Sequence, residues 1–111
     1  MNIDERMVGT VKILDLSGQI TFTQGDTLLK DKIHSLVHQG DKKLLVNLAK
    51  INYIDSAGLG QLVGAYTTVT QAGGQLKLVN LTKRIHDLLT ITKLTTVFET
   101  FDSEQEAVKT F

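Results

Sequence analysis

The 111-residue sequence has no cysteine and no tryptophan, and its aromatics are four phenylalanines and two tyrosines. Without cysteine, neither a disulfide framework nor a thiolate zinc site can form. An excess of charge is missing too: twelve Lys and Arg balance twelve Asp and Glu. Domains that grip nucleic acid normally carry a net basic face, so direct nucleic-acid binding is not expected. No apolar run approaches the roughly 20 residues of a membrane helix, so no membrane insertion is expected. The opening Met1-Asn2-Ile3-Asp4-Glu5-Arg6 is charged where a signal peptide needs an apolar core. These absences point to a soluble, cytoplasmic chain. The length suits one domain, residues 1–111, burying roughly two thirds of its unfolded surface.

What is present is an alternation of extended and helical patterns. Residues 8–17 read as a strand, with Val11 and Ile13 on one face and Lys12, Leu14 and Leu16 on the other. Gly9 permits a bend or a hairpin there, and Ser17-Gly18 ends the run. Ile20-Thr21-Phe22-Thr23 reads as a short extended piece. Thr23 or Thr27 is placed to cap a helix whose stripe is Leu28, Leu29, Ile33, Leu36 and Val37, with Gly40 as its C-terminal stop. Leu44-Leu45-Val46-Asn47-Leu48 has the near-continuous apolar character of a central strand. A helix with Leu59, Leu62, Val63, Tyr66 and Val69 on one face runs to Gly73-Gly74. Residues 75–81 form a further strand, and Thr82 caps a short helix bearing Ile85, Leu88, Leu89 and Ile91. The β-branched and aromatic run 95–101 reads as a final strand. Asp102 or Ser103 caps a last helix anchored by Ala107, Val108 and Phe111. Strands alternating with helices predict an α/β fold with a mainly parallel sheet and an antiparallel piece at the start.

The residue types that carry chemistry gather in Ile54-Asp55-Ser56-Ala57-Gly58-Leu59-Gly60, between the central strand and its helix. A nucleophile elbow also places Ser on such a turn, but Ile54 stands where its first glycine belongs, and His86 alone follows Ser56 as a base. A dinucleotide loop fails at its third glycine: Val63 occupies the position and Gly64 is one place late. No Gly-Lys-Ser/Thr of a P-loop occurs. His34 and His38 share a helix face at metal-ligand spacing, but no third ligand is indicated and solvent-facing histidines explain them as well. No metal or cofactor is therefore expected. Two readings of Ser56 remain: a plain helix cap, shared with or left to Asp55, or a hydroxyl phosphorylated by another protein at the anion-favouring end of a helix.

The motif and its place in the chain resemble the STAS domain, specifically bacterial anti-sigma factor antagonists. The resemblance rests on Leu45-Val46-Asn47-Leu48, a short turn, and then Ile54-Asp55-Ser56-Ala57-Gly58-Leu59-Gly60. The Gly18-Gln19-Ile20 turn, the Gly73-Gly74-Gln75-Leu76 break and the closing Ser103-Glu104-Gln105-Glu106-Ala107 fit the same layout. It implies a single STAS-like domain, with a mixed, mainly parallel sheet of four to five strands and about four helices. It implies a switch and not an enzyme. The partner would be an anti-sigma factor that is also a serine kinase, acting on Ser56, with a PP2C-type phosphatase reversing the mark. Thr21, Asp55, Ser56, Ala57, Gly58, Leu59 and Gly60 would form the partner-binding surface, with Ala57, Gly58 and Leu59 exposed or nearly so. Gly58 and Gly60 would let a partner backbone approach closely. Gly18-Gln19-Ile20-Thr21 lacks the acids many relatives carry there, and Asn47 replaces a common Asp. The other implied role is a STAS module of a stressosome-like, chemosensory or lipid-transport ABC assembly.

Overall fold

Alternation along the second strand sets the architecture. In the computed structural model, which describes residues 1–21 and 28–111, Leu14 and Leu16 point to one side and Val11 and Ile13 to the other, each into a buried cluster. The strands are β1 (Asn2–Val8), β2 (Val11–Ile20), β3 (Lys43–Ile54), β4 (Gln75–Val79) and β5 (Thr100–Phe101). They form one sheet in the order β1-β2-β3-β4-β5, antiparallel between β1 and β2 and parallel elsewhere. The helices are α1 (Leu28–His38), α2 (Ser56–Gln71), α3 (Lys83–Ile91) and α4 (Glu104–Lys109). Residues from α1, α2 and α3 pack with Leu14, Leu44, Val46, Leu48 and Leu78 in the main core. On the opposite side, Ala107 of α4 joins Val11, Ile13, Leu45 and Val79. This is the expected α/β domain, with five strands and four α-helices among the described residues.

Several boundaries differ from the sequence reading, each for a physical reason. The hairpin that Gly9 permits is formed, with Gly9 at φ +60°, but its first arm, β1, begins at Asn2 and not near residue 8. Its outward charges hid the pattern, because an edge strand is held by ladder hydrogen bonds and not by an apolar face. Gly18 does not end β2, and the expected Gly18-Gln19-Ile20 turn is strand. Gly18 takes φ +99° within an irregular stretch where the β2–β3 register shifts twice. Likewise the expected short turn after Leu48 is a continuation of β3 to Ile54. Between Asp15 and Ser17 the partner positions advance from Asn47 to Lys50, and between Gly18 and Gln19 from Ile51 to Tyr53. Each shift inserts one residue into β3, so Leu48, Ile51 and Ile54 face the core at intervals of three, which obscured the two-residue period.

The strand expected over 95–101 is mostly not one: Leu94–Thr96 is a 3₁₀ turn and only Thr100–Phe101 pairs with β4. Lys93 at φ 62° redirects the chain there, and Phe98 is buried against the Tyr66 ring. Ile91 was expected on the core face of α3 but is 77 % exposed, and Leu28 of α1 is exposed as well. The candidate caps Thr23 and Thr27, and the extended reading of Phe22 and Thr23, lie outside the described residues. Thr82 and Ser103 cap α3 and α4 through their side-chain oxygens.

Candidate functional site

The site is built where β3 hands over to α2. Ile54 is buried, and Asp55 follows in extended conformation with its backbone N–H donating to the Ile20 carbonyl at 3.4 Å. Its carboxylate accepts from the Gly58 N–H at 2.7 Å, which makes Asp55 the helix cap. Ser56 is then the first helical residue, exposed, and its hydroxyl makes no hydrogen bond with the described residues. Because Asp55 performs the capping, the serine oxygen is left to solvent at the helix end that favours anions.

The neighbouring small residues divide into two kinds. Ala57 and Gly60 are exposed, and a methyl group on Gly60 would meet nothing within 4 Å. Gly58 and Leu59 instead face inward, which corrects the expectation that they are exposed. A methyl on Gly58 would stand 1.8 Å from the Ile20 oxygen, so only glycine lets α2 start against the end of β2. Leu59 is 3 % exposed and belongs to the main core. The close approach at Gly58 is thus made by the chain's own backbone. Thr21 is buried too, and its carbonyl accepts from the Gln61 side-chain amide at 3.0 Å, tying the end of β2 to α2. Gln19 is exposed and lies opposite Tyr53.

On the other flank stand residues the sequence reading missed. Arg84, in the first turn of α3, donates from Nε to the Ile54 carbonyl at 3.3 Å, and its guanidinium lies 4.3 Å from the Tyr53 ring centre. Ile54, Lys83, Arg84, Asp87, Leu88 and Ile91 line an open hollow of about 430 Å³. One signal was available: Lys83 and Arg84 follow the Thr82 cap directly, with no acid in that turn. Helix N-termini favour acids over cations, so this placement is not explained by helix stability.

The other candidate chemistries find little support in the geometry. His34 and His38 are exposed on α1, and among the described residues no three potential ligands converge. His86 is exposed, with its Nδ1 3.8 Å from Asp87 and no bond to Ser56. No helix among the described residues is long and apolar enough to cross a membrane.

Known proteins share both the pattern and the architecture. The chain is 32 % identical over 99 residues to an anti-sigma-B factor antagonist of Bacillus subtilis, covering 89 % of each. It is 24 % identical over 98 residues to an anti-sigma F factor antagonist of Paenibacillus polymyxa, covering 88 % of this chain and 84 % of that one. The crystal structure of an anti-sigma factor antagonist from Mycobacterium paratuberculosis superposes with TM-score 0.83 at 18 % identity, over 98 % of this chain and 92 % of the other. The phosphorylated form of the Bacillus cell fate determinant SpoIIAA does so with TM-score 0.73 at 19 % identity, over 97 % of each. The family model described as the STAS domain matches residues 2–107, from the first strand to the last helix and across the whole Asp55–Gly60 turn. The chain belongs to the STAS domain family.

Proposed function

We propose that this protein is an anti-sigma factor antagonist whose binding to an anti-sigma factor is switched off when Ser56 is phosphorylated by that partner's serine kinase activity. The observation that carries the reading is the released hydroxyl: Asp55 caps α2, so Ser56 stands exposed at its first position, on a scaffold of the antagonist family. The chain is then the substrate and ligand of another protein's enzyme and catalyses nothing itself.

The docking surface is Ser56, Ala57 and Gly60, with Asp55, Gly58, Leu59 and Thr21 as the frame that holds them. Ser56 carries no charge and Ala57 and Gly60 are small, so a partner can come close to the helix start. Phosphorylation adds about −1.5 to −2 charges at that spot. Enclosing such a group without compensating cations costs several kcal/mol, and each 1.4 kcal/mol weakens binding about tenfold. A PP2C-type phosphatase would restore the binding form. The test is incubation with the partner kinase and ATP, followed by peptide mass mapping. Phosphate confined to the Ser56 peptide supports the reading; phosphate elsewhere, or none, rejects it.

A further inference from the structure

We infer that Arg84 is the built-in counter-ion for a phosphate on Ser56, holding the modified side chain against the start of α3. This deepens the reading above and rests on Ser56 being the modified residue. Arg84 is fixed over the end of β3 by the Ile54 carbonyl and the Tyr53 ring. Only its Nε is hydrogen-bonded among the described residues, so both terminal nitrogens of the fork remain available. Two residues of chain reach at most ~7 Å, so the Ser56 Cα lies within that distance of the Ile54 Cα. The phosphate extends further from there, and the arginine fork matches a phosphate's paired oxygens.

Direction agrees with distance. With 3.6 residues per turn, successive side chains on α2 turn by about 100°. Val63 therefore projects within about 20° of Ser56, and Tyr66 about 80° from it on the way to the buried line of Leu62, Ala65 and Val69. Tyr66 meets Phe98, which follows α3, with ring centres 5.3 Å apart. Gln61, about 140° from Ser56 the other way, reaches Thr21 just past the end of β2. Ser56 therefore leans toward the α3 flank and away from β2.

The charged groups around this corner are Lys83, Arg84 and Asp87 from α3 and Asp55 from the α2 cap. The Asp55 carboxylate is occupied by the Gly58 N–H, and the end of β2 and the residue after it contribute the uncharged Gln19 and Thr21. The unusual pair of cations in the first turn of α3 then has a purpose: they await an anion. Lys83 adds long-range attraction, and Arg84 supplies the contact.

Phosphoserine installed at position 56 during synthesis makes the test independent of any kinase. The phosphate's second pKa, followed by ³¹P NMR, should lie below its ordinary value of about 6. Arg84→Gln should raise it by roughly half a pH unit or more, Arg84→Lys should recover part of the shift, and Lys83→Gln should change it less. No change in Arg84→Gln, or a larger change in Lys83→Gln, would overturn the assignment. In the unsubstituted phosphoprotein the Arg84 guanidinium ¹⁵N signals should move through the same titration, and static signals would also overturn it. Failure of a kinase to label Ser56 would reject the proposed function and leave this coupling measurable; an unmoved phosphate pKa would reject the counter-ion alone.

Discussion

Two polar clusters sit at different places on the same sheet and use their charges in opposite ways. On the side away from α1, α2 and α3, Arg6 donates to both Asp15 oxygens at 2.7 and 3.2 Å and also pairs with Glu104. Asn47 donates to Asp15 at 2.8 Å and accepts from Asn80 at 3.1 Å. Every member has a partner inside the cluster, which links β1, β2, β3, the end of β4 and α4. At the β3–α2 junction the Ser56 hydroxyl is unbonded and Arg84 uses one nitrogen of three among the described residues. The first cluster is finished by folding alone. In the second, groups remain without partners among the described residues, and on the proposed function that difference separates the structural polar groups from the functional ones.

The sharpest way to break the comparison is at the frame of the open site. Gly58→Ala forces a methyl to 1.8 Å from the Ile20 oxygen, so α2 must pull away from β2. Overpacking of this kind costs about 3 kcal/mol, and denaturant unfolding should show it as a fall in midpoint at unchanged slope. Gly60→Ala, with open space around it, should leave stability unchanged or raise it by up to about 1 kcal/mol, since Ala favours a helix over Gly by about that much. Next in size is Ser56→Asp. Calorimetric titration with the anti-sigma partner should show affinity reduced by at least about tenfold, while the melting temperature holds because an acid suits the first helical turn. Equal binding would end the switch.

Asp55→Ala comes third. It removes the only side-chain cap of α2 among the described residues and should cost about 1 kcal/mol, seen as a lower thermal midpoint. Asp55→Asn, which still accepts from Gly58, should recover most of it. Together with Ser56→Ala, which should leave stability within about 0.5 kcal/mol, this separates the capping residue from the released one.

These contrasts also show what the sequence could and could not disclose. Helical stripes in α1 and α2 were plain because each buries one continuous face, and the apolar run of β3 because both of its faces are buried. The extension of β3 was hidden because two inserted residues broke its period, and the segment 95–101 misled because Thr95 and Thr96, β-branched as in a strand, lie exposed on a 3₁₀ turn. At the site, Asp55-Ser56-Ala57-Gly58 was legible as a motif, but its inner and outer members were not. Gly58 reads like a surface glycine until the Ile20 backbone is seen against it. Arg84 lies 28 positions beyond Ser56 in the chain, and only the packing of α3 brings it there. Asn47, a departure from the common Asp, makes sense only beside Asp15: its amide donates where a second carboxylate would repel.

The smallest expected effect tests the closed cluster. Arg6 holds the Asp15 and Glu104 carboxyls below their ordinary values, chiefly by hydrogen bonding and secondarily by charge, while partial burial opposes it. Groups whose pKa is depressed on folding add stability above their unfolded values, 3.8 and 4.5, and lose it as pH falls through the folded values. The arginine side chain is 41 % exposed, so solvent limits the gain to about 1 kcal/mol or less at neutral pH. Arg6→Gln should therefore lower the urea midpoint slightly near pH 7 and leave Asp15 and Glu104 without the cation they share. Their pKa values then rise, and the acid-side loss of stability between about pH 5 and 3 should flatten or reverse relative to the parent. Raising the salt concentration should shrink the difference between the two proteins, because exposed pairs are screened. If Arg6→Gln also altered partner binding, the closed cluster would not be merely structural, and the division between the two regions would fail.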